Sequence, residues 1–139
     1  MKKPIVFMGV LPFMALTLCA ADKNWTGGAG DFRFSSAANW DPSGAPVSGD
    51  ALFFSLSSAV NVTNDLSGLT FSGITQSGSA AVTLGGGNGF SLTGGITVSG
   101  TRELNISVPM TITNAVPLTL SGANFYAYSS ISGTGSLTL

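Results

Sequence analysis

Three short segments decide the fold of this 139-residue chain: Val60-Asn61-Val62, Val82-Thr83-Leu84 and Leu104-Asn105-Ile106. Each sets one polar residue between two aliphatic residues, and they begin at positions 60, 82 and 104, a constant step of 22 residues. Alternation of this kind, with β-branched residues, is typical of half-buried strands. No window of the chain offers an apolar stripe with helical spacing. The chain is therefore predicted to be all-β.

Further positions recur at the same interval, which indicates an internal repeat. A shift of 22 residues places Ile74 on Ile96 and Leu118, Phe90 on Ile112, and Val98 on Leu120. For the last stretch a shift of 19 aligns better and places Ile106 on Phe125, Ile112 on Ile131, Leu118 on Leu137, and Leu120 on Leu139. Self-similarity at a period of about 20 to 50 residues is the signature of solenoid architectures.

Two all-β folds are compatible with these strands. In an antiparallel β-sandwich, strands recur about every 8 to 12 residues, whereas the strand signals here lie closer together. Short connections favour a parallel β-helix, a solenoid in which each strand stacks on its equivalent in the next coil. We therefore predict a β-helix, with the antiparallel sandwich as the alternative.

The charged residues are few and unevenly placed. The chain has five Lys and Arg, six Asp and Glu, and no His, and after Asp65 its only charged residues are Arg102 and Glu103. Like charges stacked at a strand spacing of about 4.8 Å would repel one another, so their scarcity fits a stack of coils. Nucleic-acid binding requires clusters of Lys and Arg, and imidazole is the commonest metal ligand and general base. We predict no nucleic-acid partner, no cofactor and no metal site.

The N-terminus reads as a secretory signal peptide at 1–21. Lys2 and Lys3 precede an apolar run that ends in Cys19-Ala20-Ala21, which matches a basic region, a hydrophobic region and a small-residue cleavage site. The run is shorter than the roughly 20 residues that span a bilayer. Lipid attachment at Cys19 is the alternative, but Leu18 is not the small residue that such sites require. The product is predicted to be secreted or displayed at the cell surface.

The mature chain divides into two parts. Residues 22–55 contain both tryptophans and four of the six acids, and are predicted to form an N-terminal aromatic-rich cap. Residues 56–139 carry the repeat and are predicted to form the coils. The chain stops within the strand signal Leu137-Thr138-Leu139. Because repeat arrays need a cap at each end, we expect the chain to be truncated at its C-terminal end, as part of a longer protein.

Four motifs carry a family resemblance: Trp25-Thr26-Gly27, Asn39-Trp40-Asp41, the segment from Pro46 to Phe54, and the segment from Ile131 to Leu139. Together they resemble the N-terminal region and the repeat core of bacterial secreted proteins with autotransporter-associated β-strand repeats. The resemblance implies a right-handed β-helical passenger region at the cell surface, usually adhesive or structural. The family's C-terminal anchor or translocator barrel is missing from this chain, so a membrane connection is expected only through such a part.

Aromatic residues are the candidate binding residues. Trp25, Trp40, Tyr126 and Tyr128 are candidates for stacking on glycans. For the two tryptophans the alternative is a plug over the end of the β-helix, because aromatic residues mostly contribute buried area. Tyr126 and Tyr128 share one face of a strand, which the 22-residue shift points inward and the 19-residue shift points outward.

The acidic residues have two candidate roles, as calcium ligands and as catalytic groups. Carboxylates of Asp31, Asp41, Asp50 and Asp65 have the chemistry of calcium ligands, but Asp beside Gly or Pro is more typical of turns. Beyond Asp65 the chain lacks the acids or bases of β-helical lyases and hydrolases. We predict a non-catalytic, adhesive or structural solenoid whose partners are surface glycans or other cell-surface proteins. The alternative is a carbohydrate-binding or carbohydrate-processing β-helix whose functional residues lie partly beyond Leu139.

Overall fold

A computed structural model describes residues 20–139. The predicted signal peptide, including Cys19, lies outside the described residues except for Ala20 and Ala21. In the described part, helical structure is confined to one short 3-10 turn at Ala37–Asn39, so this part of the chain contains no candidate membrane-spanning helix.

Fifteen strands, grouped here by their place along the chain, make up this part of the molecule. The cap contains β1 (Asp22–Trp25) and β2 (Trp40–Asp41). The first two coils contain β3 (Ala51–Phe54), β4 (Val60–Asn64), β5 (Thr70–Phe71), β6 (Gly73–Gln76), β7 (Val82–Gly86) and β8 (Phe90–Leu92). The remaining coils contain β9 (Ile96–Val98), β10 (Leu104–Ile106), β11 (Met110–Ile112), β12 (Ala115–Leu120), β13 (Phe125–Ala127), β14 (Ile131–Ser132) and β15 (Ser136–Thr138).

The strands stack into three parallel sheets, and every coil contributes one strand to each sheet. Sheet I has the order β15-β12-β9-β6-β3-β1-β2, sheet II the order β13-β10-β7-β4, and sheet III the order β14-β11-β8-β5. Among the described strands, only β1 and β2 pair antiparallel. The fold is therefore the predicted parallel β-solenoid, of about four coils, and the antiparallel sandwich is wrong.

The coils begin earlier than the predicted boundary between residues 55 and 56. Strand β3 lies before that boundary, yet it pairs in parallel with β6 and is the first strand of the first coil. The cap itself continues the stack, because β1 pairs in parallel with β3. Cap and coils therefore share one continuous sheet.

The 22-residue repeat is confirmed for sheets I and II of the first three coils. Val60 pairs with Val82, which pairs with Leu104, and Ile74 pairs with Ile96. Leu118 and Leu120 also fall on their predicted partners in β9.

Two details of the predicted alignment are wrong, because the turns between sheets vary in length. Phe90 pairs with Met110 rather than Ile112, since the chain advances four residues from Ile106 to Met110 but six residues between their partners Leu84 and Phe90. The last coil follows a 21-residue shift, not 19, and its partners are Leu104 with Phe125, Met110 with Ile131, and Val116 with Leu137.

Alternate residues of each strand point into the coil and form an apolar core. Leu52, Ile74 and Ile96 stack in sheet I, and Val82 lies beside Leu104 in sheet II. All five of these side chains are buried. Because burial of one such side chain contributes roughly 1.5 to 3 kcal/mol, these inward rows are the main source of stability in a chain whose described part holds no cysteine.

An aromatic cluster closes the N-terminal end of the core. Its members are the buried side chains of Trp25, Phe34, Trp40, Phe54 and Phe71. Six pairs of these rings have centroids between 5.0 and 6.4 Å apart, in tilted or edge-to-face arrangements, the geometries that aromatic pairs prefer.

Candidate functional site

The two tryptophans are not on the surface. Trp25 is 5% exposed and Trp40 is 2% exposed, and the indole Nε1 of Trp40 donates a hydrogen bond to the carbonyl oxygen of Phe34 at 2.9 Å. Neither ring presents a face on which a sugar can stack. The prediction that Trp25 and Trp40 stack on glycans is therefore wrong. Both rings belong to the plug, because they cover the apolar core at the open end of the coils.

The two tyrosines face outward. Tyr126 pairs with Asn105, an outward residue of sheet II, and not with the inward Leu104 that the 22-residue shift gives. Its side chain is 42% exposed and that of Tyr128 is 68% exposed. Their ring centroids are 5.8 Å apart with an interplanar angle of 25°. The pair therefore forms a small aromatic surface at the β13 end of sheet II.

Two rows of polar residues lead from this surface across the other strands of sheet II. The first row runs Asn61, Thr83, Asn105, Tyr126. Within it, Nδ2 of Asn105 donates a hydrogen bond to Oγ1 of Thr83 at 3.4 Å. The second row runs Thr63, Gly85, Ser107, Tyr128: Thr63 pairs with Gly85, while the backbone N–H groups of Ser107 and Tyr128 donate to Leu84 and Ile106.

The outer faces of sheets I and III have a different composition. The middle row of sheet I runs from Phe53, which is only half-buried, through Thr75 and Thr97 to Thr119. Sheet III carries Ser91, Thr111 and Ser132, and the Thr111 and Ser132 hydroxyls lie 3.3 Å apart. Neither face carries an outward tyrosine. Sheet II is therefore the face on which aromatic and amide groups come together.

Three charged side chains border sheet II. At its cap end Arg33 forms a parallel bridge with Thr63. At the start of β10, Nε of Arg102 lies 3.6 Å from Oε2 of Glu103. Arg102 and Glu103 are of opposite charge. The two rows themselves contain no ionisable group other than the tyrosine hydroxyls.

Two acidic side chains accept hydrogen bonds within the cap. Asp50 is buried and accepts the backbone N–H groups of Ala21 at 2.8 Å and Val47 at 2.9 Å. Asp31 accepts the hydroxyl of Ser36, the backbone N–H of Arg33 and the amide of Asn39. These hydrogen bonds give both aspartates a turn-stabilising role. Within residues 20–139 no three acidic or other metal-ligating side chains come together.

The same hydrogen bonds act on the ionisation of two aspartates. The Ser36 hydroxyl, with the Arg33 N–H and the Asn39 amide, lowers the pKa of Asp31. Partial burial raises the pKa of Asp65, but the hydroxyl and backbone N–H of Ser35 outweigh it and the net change lowers that pKa. Both carboxylates are therefore held in the ionised form.

Sequence reasoning identified the tyrosines but missed the rows beside them. Asn61, Thr83 and Asn105 are the central residues of the three segments that carry the repeat, so their common face was implied by the 22-residue step. The place of Gly85 in the second row was implied in the same way, by its position two residues after Thr83. No enclosed pocket is found in the described part of the chain, so the candidate site is an open face.

Comparison of the chain with protein-family models, with curated proteins and with solved structures finds no match. The resemblance to autotransporter-associated repeats therefore remains an interpretation of the four motifs.

Proposed function

We propose that this chain belongs to an exported, non-catalytic β-solenoid that is secreted or displayed at the cell surface and has an adhesive or structural role. The observation that carries the proposal is the exposed Tyr126–Tyr128 pair, in a fold that buries its tryptophans and most of its phenylalanines. Tyrosine offers a large, rigid contact area at low entropic cost, and Ser, Gly and Asn around it supply adaptable hydrogen bonds.

Export is supported by the leader-like sequence of residues 1–21. It is tested by expressing the full chain in a bacterial host and determining the N-terminus of the exported product by mass spectrometry. We expect cleavage after Ala20 or Ala21. An intact Met1 in the cell pellet would contradict export, and a lipid-modified Cys19 would replace ordinary cleavage.

Adhesion is tested on an array of immobilised surface glycans. The exported protein is expected to bind a subset of glycans, and the double variant Tyr126→Ala/Tyr128→Ala is expected to lose that binding. Thr97→Ala is the matched control, because Thr97 faces outward from sheet I. Equal binding by both variants would remove the tyrosine pair from the proposal.

The second candidate function is a carbohydrate-binding or carbohydrate-processing β-helix, which the same tyrosine pair favours. Catalysis would need acidic or basic residues on further coils. The coding sequence downstream of Leu139 distinguishes the two candidates. Continuation into coils with clusters of Asp, Lys or Arg supports the second, whereas continuation into a barrel-forming domain supports a passenger protein.

A further inference from the structure

The two outward rows of sheet II define a path along the solenoid axis. They cross four consecutive strands, β4, β7, β10 and β13, which at about 4.8 Å per strand is a distance of roughly 14 Å. The path is flanked by amide and hydroxyl groups in the first row, and the stacked tyrosines lie at one end of it.

Gly85 lies in the middle of this path, between Thr63 and Ser107. Its backbone does not have the positive φ that favours glycine, and a Cβ built there meets nothing closer than the Val62 carbonyl oxygen at 3.9 Å. Packing therefore does not require glycine at this position. Its effect is to leave the second row without a side chain between its neighbours, which makes a shallow depression in the face.

The hydrogen-bonding groups along the path are only partly used within the protein. The Asn105 amide donates one long hydrogen bond to Thr83, and its Oδ1 accepts none from the described residues. Amides and hydroxyls of this kind both donate and accept, as do sugar hydroxyls. The two rows carry no formal charge, and Arg33, which lies beyond Thr63 at the cap end, interacts with the carboxylates of Asp31 and Asp65. Electrostatic attraction therefore does not select for an ionic ligand along the path.

We propose that a linear, neutral oligosaccharide lies along the solenoid axis on the outer face of sheet II. One end stacks on the Tyr126–Tyr128 pair, and the following rings cross the depression at Gly85 and hydrogen-bond to Asn105 and Asn61. This assignment rests on the proposed adhesive function and specifies its ligand class and direction. It predicts that the affinity for glycans depends on glycan length and on Gly85, a residue without an aromatic side chain.

The test uses the full exported protein and neutral β-linked oligosaccharides of glucose, mannose or N-acetylglucosamine, in a series from one to six rings. Affinity is measured by isothermal titration calorimetry and by NMR shifts. We expect affinity to rise with length until the path is filled and then to level off. The Tyr126→Ala/Tyr128→Ala variant is expected to weaken binding of every member of the series by about tenfold, the loss of one stacking contact.

Gly85→Leu is the diagnostic variant, because it fills the depression without touching the tyrosines. It is expected to reduce the affinity of the longer oligosaccharides to that of the shortest ones, with no change for a single ring. Ser107→Leu in the same row is a second blocking variant, used if Gly85→Leu does not fold as judged by circular dichroism. Thr97→Leu on sheet I is the matched control and is expected to bind like the parent protein.

The outcomes separate this inference from the proposed function. Glycan binding that requires the tyrosines but is independent of length, or unaffected by both blocking variants, overturns the axial path and leaves the adhesive role standing. A preference for acidic over neutral oligosaccharides overturns the assigned ligand class. Absence of binding to any glycan overturns both the path and the glycan-mediated form of the proposed function.

Discussion

Trp25 and Trp40 lie directly opposite each other across the antiparallel pair β1–β2, with ring centroids 5.0 Å apart and ring planes at 86°. This pair covers the end of a solenoid whose core would otherwise be open to water. It also explains why both tryptophans lie in the cap, before the repeat begins. A solenoid end with an exposed apolar core and unpaired strand edge is prone to pair with another chain.

The cap is predicted to contribute a large part of the stability. Trp40→Ala removes a buried ring and leaves the Phe34 carbonyl without its indole donor. We expect a loss of about 3 to 5 kcal/mol in the free energy of unfolding, measured by chemical denaturation. Phe32→Asn is the control, because Phe32 is 49% exposed and has a φ of 58°, which Asn tolerates well. A loss below about 1 kcal/mol for Trp40→Ala would contradict the plug.

Alanine substitutions at inward and outward neighbours on one strand are predicted to differ sharply in their cost to stability. Ile96→Ala creates a cavity in a fully buried row and is expected to cost about 2 to 5 kcal/mol. Thr97→Ala, one residue further along β9, removes an outward hydroxyl and is expected to change the free energy of unfolding by no more than about 0.5 kcal/mol. Thermal and denaturant unfolding measure both. Similar costs for the two variants would show that the assignment of the faces is wrong.

The same substitution by alanine is predicted to change stability differently at two glycines. A Cβ at Gly94 would collide with the carbonyl oxygen of Ser72 in the preceding coil, whereas a Cβ at Gly85 has space. Gly94→Ala is expected to destabilise the protein by about 1 to 3 kcal/mol, as overpacking does. Gly85→Ala is expected to be neutral or to add a few tenths of a kcal/mol, because it restricts the unfolded chain. Equal effects would contradict the close approach of the coils at Gly94.

The cap is predicted to weaken at acidic pH. Hydrogen bonds lower the pKa values of Asp31 and Asp65 in the folded protein, so both carboxylates favour folding above the unfolded pKa of about 3.9. This contribution is lost as the pH falls through the lowered pKa values. The urea concentration at the unfolding midpoint, measured between pH 7 and pH 2, is expected to decrease once the pH drops below about 4.

The double variant Asp31→Asn/Asp65→Asn is the control for this prediction. Its unfolding midpoint is expected to be lower at pH 7 and to depend less on pH in the acidic range, since the two groups no longer titrate. An unchanged acid dependence in the double variant would place the responsible groups elsewhere.

Much of the fold was predictable because the repeat indicates which residues of each strand are buried. A polar residue between two aliphatic ones, repeated every 22 positions, requires the same face of each strand to be buried in successive coils. Turn lengths were not predictable in this way. The stretch from Ile106 to Met110 is shorter than its equivalent in the preceding coil, and the last coil shifts by 21 residues. Alternating apolar residues give nearly equal matches when a strand slides by two.

The orientation of the tyrosines shows where this reasoning stops. A shift of 22 places Tyr126 on Leu104 and points it inward, a shift of 19 places it on Ser107 and points it outward, and the sequence alone supports either orientation. Only the hydrogen-bonded register on β10 decides between them, because a change of one residue reverses every side chain of a strand.

The sequence by itself determined the all-β class, the stacking of coils and the separation of an aromatic cap from a sparsely charged repeat, because these follow from periodicity and from repulsion between stacked charges. Tertiary structure alone decided that the tryptophans are buried, that the tyrosines face outward, and that they share a face with Asn105 and Gly85. The reason is physical: periodicity is a local property of the chain, whereas exposure depends on which residues of distant coils pair and on what covers the end of the stack.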